Sequence, residues 1–272
     1  MAGALRIGQI NVQRWIGASL LGLAAGALLG CGSAAQREDA AIVTQSDQTE
    51  LQRRAAIRLE LAANYFQAGK MTIALDEIKQ TLALDPTSGD AYNIRGLIYM
   101  QMGESDIAGE SFTKAQALKP GDANIMHNHG WLLCQEKKYD AADRYFAQAL
   151  VQRQYYQQSK TLMAQGLCYE AAGKASEAEA ALLKAYEYDA GNPVVSYNLA
   201  RLMHQRGDSQ RGQFYIRRLN NGELANSESL YLGIQIERAL GDRTVARQLG
   251  NQLQKRFPDS KEWARVANGG QF

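Results

Sequence analysis

Proline is scarce in this chain, four in 272 residues, and three of the four fall at the boundaries or ends of a repeating unit. No segment alternates apolar and polar residues with period two. Few helix breakers and no strand periodicity exclude a β-rich fold and leave helix throughout. An excess of charge is also missing: 30 basic residues meet 28 acidic ones for a net +2, with no long basic run in the repeats. A nucleic-acid partner is not expected. Arg217-Arg218 and Lys137-Lys138 read as solvated helix surface.

Histidine numbers three. His127 and His129 stand two apart on an expected helix and point to different faces, unlike the i, i+4 pair of a zinc helix. Cys134 lies seven residues from His127, about two helical turns, too far for a nucleophile and its base. A glycine-rich phosphate loop and a metal-ligand cluster are both missing from the sequence. The expectation is a protein without catalytic residues, metal or small-molecule substrate.

What is present is a period. Gly69 and Gly103 are 34 residues apart, as are Gly173, Gly207 and Gly241; Ala74, Ala108 and Ala142 keep the same interval, and Ala178 follows after 36. Six copies of one unit therefore fill residues 55 to about 258. A 34-residue unit of two helices is the period of the tetratricopeptide repeat, and the residues inside each unit resemble that family. The second unit carries the pattern most fully, in Tyr92, Gly96, Tyr99, Gly103, Ala108, Phe112, Ala115 and Pro120. Gly96 and Ala108 mark the crossing of its two helices, Tyr99 and Phe112 fill the space around it, and Gly103 ends the first helix where φ > 0 is often needed. The fold class expected is all-α: one right-handed superhelix of six repeats over 51–272, its end covered by a short helix from about Lys261 with Ser260 as N-cap.

Two irregularities stand out. Lys137 replaces the third unit's glycine, and Gln152 to Gln158 holds two extra residues, implying a longer helix or an irregular connection. In the sixth unit Leu232 and Gly233 fall one residue early, which reads as an extra residue in that unit's first helix.

Ahead of the repeats, Arg6 and Arg14 precede an apolar run, Ile16 to Leu29, shorter than the ~20 residues a membrane span needs. Residues 1–30 read as a signal peptide. The run ends in Leu28-Leu29-Gly30-Cys31, which resembles the lipobox of bacterial lipoproteins, and that resemblance implies cleavage before Cys31 and a diacylglycerol on its sulfur. Several acyl chains hold a protein firmly on a bilayer. Gly32, in place of an aspartate, implies transport to the outer membrane, and residues 31–50 read as a flexible tether that leaves the repeats in the periplasm. No cofactor other than this lipid is expected. Cys134 and Cys168 then remain, on adjacent first helices; a disulfide and two buried thiols both fit the spacing.

In tetratricopeptide superhelices the first helix of each unit lines the concave face. The inward slots hold Asn93, Leu97, Met100 and Gln101, then His127, Trp131, Cys134 and Gln135, then Met163 and Leu167, then Tyr197, Arg201 and His204. Apolar side chains mixed with amides suit a bound peptide or helix, with Trp131 as anchor.

The stretch from Asn128 to Tyr139 and the sixth unit from Ser229 to Ser260 narrow the resemblance further. Together with the lipobox, the tether and the break around Tyr155-Tyr156, they are similar to the PilF/PilW family of type IV pilus lipoproteins, from about Cys31 to the C-terminus. The resemblance implies a non-enzymatic, pilotin-like role: an outer-membrane lipoprotein that binds the secretin subunit and supports its localisation or multimerisation. Some members of that family act chiefly on fibre stability. A tetratricopeptide lipoprotein serving as adaptor for peptidoglycan enzymes or outer-membrane protein assembly is the alternative reading.

Overall fold

The computed structural model describes residues 49–269, and the signal peptide, Cys31 and nearly all of the expected tether lie outside them. Among the described residues all regular structure is helical. The helices run α1 (Glu50–Gln67), α2 (Met71–Leu84), α3 (Gly89–Met102), α4 (Ser105–Leu118), α5 (Ala123–Gln135), α6 (Tyr139–Leu150), α7 (Gln158–Ala171), α8 (Ala175–Tyr188), α9 (Pro193–Gln205), α10 (Ser209–Asn220), α11 (Ser227–Ala239), α12 (Arg243–Arg256) and α13 (Lys261–Asn268). Odd and even helices pair as antiparallel hairpins from α1 to α12, and each even helix packs on the next odd one. Helix α1 starts at Glu50, ahead of the repeat frame, with Thr49 and Gln52 forming a capping box.

Two local devices set the hairpins. The turn inside a unit is closed by a residue in the left-handed region: Gly69, Gly103, Gly173, Gly207 and Gly241, with Lys137 at φ 62° in the third unit. The turn between units is closed by a side-chain cap at the start of the next first helix, from Ser88, Asp122, Asn192 and Asn226. Gln157, ahead of α7, makes no such hydrogen bond. At this boundary the two extra residues form an irregular connection rather than a longer helix: α6 stops at Leu150, and Tyr155 folds back until it is 4% exposed, against Ala123, Met126 and Ala149.

Within each hairpin one small residue faces one large one. A Cβ built on Gly96 would stand 2.6 Å from the ring of Phe112, and one on Gly166 would stand 2.7 Å from Leu182. Phe112, Phe146, Leu182 and Ile216 are all fully buried at this place in their units. The sixth unit inverts the arrangement: buried Ile234 stands where the others have glycine or alanine, and Gly250 stands where they have the large residue. Helix α11 accordingly has the same 13 residues as α9, and the expected extra residue is not there. Gly233 answers a different demand, since a Cβ on it would lie 2.6 Å from Asn220 Nδ2, which donates to the Ser229 carbonyl.

First helices touch their successors in α1–α3, α3–α5, α5–α7 and α9–α11, whereas second helices of successive units make no comparable contact. The stack therefore closes on the first-helix side, which becomes the inner face. Hydrophobic clusters follow one another from Ala62 to Val266, so the compact unit Gln45–Phe272 holds its own core. Its far end is covered by α13, where Ser260 Oγ accepts from the Trp263 amide and Trp263 and Val266 pack on the last cluster. Arg217 is not simply solvated surface: it donates to both carboxylate oxygens of Glu237, a residue buried completely in α11.

Cys134 and Cys168 are joined as a disulfide between α5 and α7, with Cα atoms 5.7 Å apart. The bridge lies inside the cluster of Ala142, Phe146 and Ala164, across the boundary with the irregular connection. Because it closes a segment of 34 residues, reduction should lower unfolding stability by about 3–4 kcal/mol, read as a fall in the denaturation midpoint with reductant. An unchanged midpoint with two free thiols counted by mass spectrometry would refute this. Lys137→Gly should raise stability by about 1 kcal/mol, because the lysine Cβ is strained at positive φ; denaturant titration of the two proteins checks the sign.

Candidate functional site

The inner face is assembled from residues that recur once per turn on successive first helices. Leu97 and Met100 on α3 are half-buried against the Phe112–Leu132 cluster, and Trp131 on α5 lies against the cluster that holds the disulfide. Met163 packs beside Leu162 and Leu182, Leu167 is half-buried on the same helix, and Gln101 and Gln135 are exposed. Asn128 Nδ2 donates to Asn93 Oδ1 at 3.0 Å, tying α5 to α3 at the edge of this surface.

Two residues read as groove-facing are placed elsewhere. His127 is 6% exposed, with Nδ1 2.8 Å from Thr161 Oγ1, the same hydroxyl that meets the Tyr155 phenol. Thr161 belongs to α7, and the folded-back connection adds Tyr155 on the far side of that hydroxyl. Cys134 is 7% exposed and bonded to Cys168, and offers no thiol to a partner. His129 is held between the rings of Phe112 and Tyr145, at 5.8 and 4.4 Å between centroids, as a packing residue.

Tyr197, Arg201 and His204 come together at the C-terminal end of the inner face, in a cavity of about 530 Å³ closed by α13. Arg201 is fixed by two hydrogen bonds of 2.6 Å to Glu170 of the preceding unit and a third to Asn198. That pairing raises its pKa. Burial raises the pKa of Tyr197, so the ring offers a neutral hydroxyl. His204 is held by Ser209 at 2.8 Å. Tyr231, Gln235 and Arg265 also line it, beside Glu228, Lys261 and Glu262, with the Arg265 guanidinium 6.0 Å above the Tyr231 ring. Tyr231 and Gln235 occupy the same inward slots as Tyr197 and Arg201 one unit earlier. The 34-residue interval places both in those slots, but Leu232 and Gly233 imitate the repeat pattern one residue early and mask the frame.

A family model described as tetratricopeptide repeat matches residues 59–123 and 127–193. The sequence is 26% identical over 205 residues to the type IV pilus assembly protein PilF of Pseudomonas aeruginosa, across 75% of this chain and 81% of that one. In structure it is similar to Pseudomonas aeruginosa PilF, with TM-score 0.71 and 24% identity over 82% of this chain and 100% of the other. It is equally similar to PilW, a widely conserved type IV pilus biogenesis factor, with TM-score 0.71 and 29% identity over 78% of this chain and 98% of the other.

The buried histidine gives the inner wall a pH response. Burial, and secondarily the charge of Lys160, lowers the His127 pKa to about 4, and burial lowers that of His129. The unfolded chain binds a proton near the ordinary 6.5 that folded His127 refuses until about pH 4. Its contribution is therefore intact above pH 6.5 and is lost as the pH falls toward 4. We expect acidification from pH 7 to pH 5 to cost about 2 kcal/mol through this residue, and His127→Gln to flatten that part of the stability profile in urea titrations.

Proposed function

Because the chain belongs to the PilF/PilW family of tetratricopeptide-repeat proteins, we propose that it is a non-enzymatic scaffold of type IV pilus biogenesis that binds the outer-membrane secretin subunit and supports its localisation and multimerisation. The observation that carries this reading is the similarity to PilF and PilW over three-quarters or more of the chain, in sequence and in fold. The apolar inner face around Leu97, Trp131 and Met163 is the surface assigned to the partner, with Trp131 as its anchor.

The physical logic concerns the partner's state before assembly. A secretin monomer exposes unpaired strand edges and apolar surface until its ring closes, and both promote aggregation. A protein held on the same membrane raises the local concentration of the binding face. In this reading Cys31 carries the diacylglycerol, the protein sits on the periplasmic side of the outer membrane, and residues 31–48 link anchor to repeats.

SDS-resistant secretin multimers in outer-membrane fractions provide the test. Cells lacking the gene should lose them, and Trp131→Ala should reduce them several-fold at equal protein level. Cys31→Ser with a non-lipid secretory signal should shift the secretin away from the outer membrane. Unchanged multimers after deletion would sink the secretin reading and leave fibre stabilisation or an adaptor outside the pilus.

A further inference from the structure

The outer face changes sign along its length. The second helices α2, α4, α6 and α8 each carry more acidic than basic residues, whereas α10 and α12 carry no acidic residue at all. The near-neutral total of the chain hides this step. Part of the basic set is occupied by the fold: Arg211 pairs with Glu179 and Asp208, Arg217 with Glu237 and Asp242, and Arg256 donates to the Ala225 carbonyl. Arg243, Arg247 and Lys255 are exposed and have no acidic partner among the described residues, and Arg218 rests only over the Tyr186 ring, at 5.8 Å.

Three of these cations lie on α12, and Arg218 lies on α10 of the preceding unit. Arg243, Arg247 and Lys255 follow one stripe of α12 at spacings of four and eight. The Arg217–Asp242 pair joins the start of that stripe to α10, and the Arg256–Ala225 bond joins its end to the loop that carries Leu224. Two bulky apolar side chains stand in this region with more than half their area exposed, Phe214 on α10 at 58% and Leu224 at 60%.

We propose that this face of the fifth and sixth units rests on an anionic lipid surface, through lipid phosphates. The inference is independent of the groove and its occupant. Exposed cations spread along a helix respond to the diffuse potential of a charged bilayer, each adding a roughly equal increment of binding. Phe214 and Leu224 supply the apolar contacts that enter the headgroup region in interfacial binding. An acidic protein would need a complementary shape, whereas Arg243, Arg247 and Lys255 stand exposed along a single helix.

The compact unit 45–272, which lacks the acyl anchor, isolates this contact. Co-sedimentation is measured with neutral phosphatidylcholine vesicles and with vesicles containing roughly 30% phosphatidylglycerol. We expect at least a tenfold preference for the anionic vesicles, lost at about 0.3 M salt. The combined variant Arg218→Gln, Arg243→Gln, Arg247→Gln and Lys255→Gln should lose that preference while keeping its melting temperature. Lys79→Gln with Lys114→Gln, on the acidic part of the outer face, should change nothing. Equal binding to both vesicle types, or a fourfold variant that binds as the parent does, overturns the proposal. Binding to a polyglutamate peptide without binding to anionic vesicles overturns it in favour of an acidic protein partner.

Discussion

Everything in this molecule depends on the close crossing of two helices inside each unit. A residue without a bulky side chain, such as Gly96 or Gly166, lets the helices approach, and one large residue, such as Phe112 or Leu182, fills the space beside the contact. At these two glycines the interaction is steric before it is hydrophobic, because a Cβ there would overlap its neighbour. Six such crossings, repeated at a nearly constant interval, fix the angle between units and so the direction in which the first helices face. The inner surface is a by-product of that packing.

The same constraint explains what was legible in the sequence. Glycines that terminate first helices recur because the turn demands positive φ, and they gave the period without any knowledge of the fold. Lys137 shows that the demand belongs to the position: a lysine takes φ 62° there, in a turn closed by its own N–H to the Cys134 carbonyl and the Lys138 N–H to the Leu133 carbonyl. The sixth unit shows the limit of reading by residue type. Gly233 resembles the crossing glycine, yet its space admits Asn220, while Ile234 and Gly250 exchange the large and small roles. Complementarity is a property of a pair, and one member seen alone does not reveal which side was reduced.

The site was legible to a similar depth. Slots that recur once per unit put Tyr197, Arg201 and His204 on one face, and in the fold the three line one cavity. His127 satisfied the frame and was still buried: Thr161 of α7 meets its Nδ1, and Tyr155, from the segment that breaks the period, meets the same hydroxyl. Glu170 was invisible as the fixed partner of Arg201, being a neighbour across units at a spacing with no local meaning. Contacts between units depend on packing angles, and those angles are not written in the period.

The disulfide has a mechanical meaning as well as a thermodynamic one. In a stack where units touch their neighbours, a force applied at the first helix and resisted near the last passes through every junction in series. The junction between the third and fourth units is the one with two inserted residues and no side-chain cap at the first helix that follows, α7. Cys134 and Cys168 span that same junction. When such a stack is pulled from its two ends, its covalent link lies where the noncovalent joint is least regular, and strain would extend the neighbouring hairpins before the two halves could part.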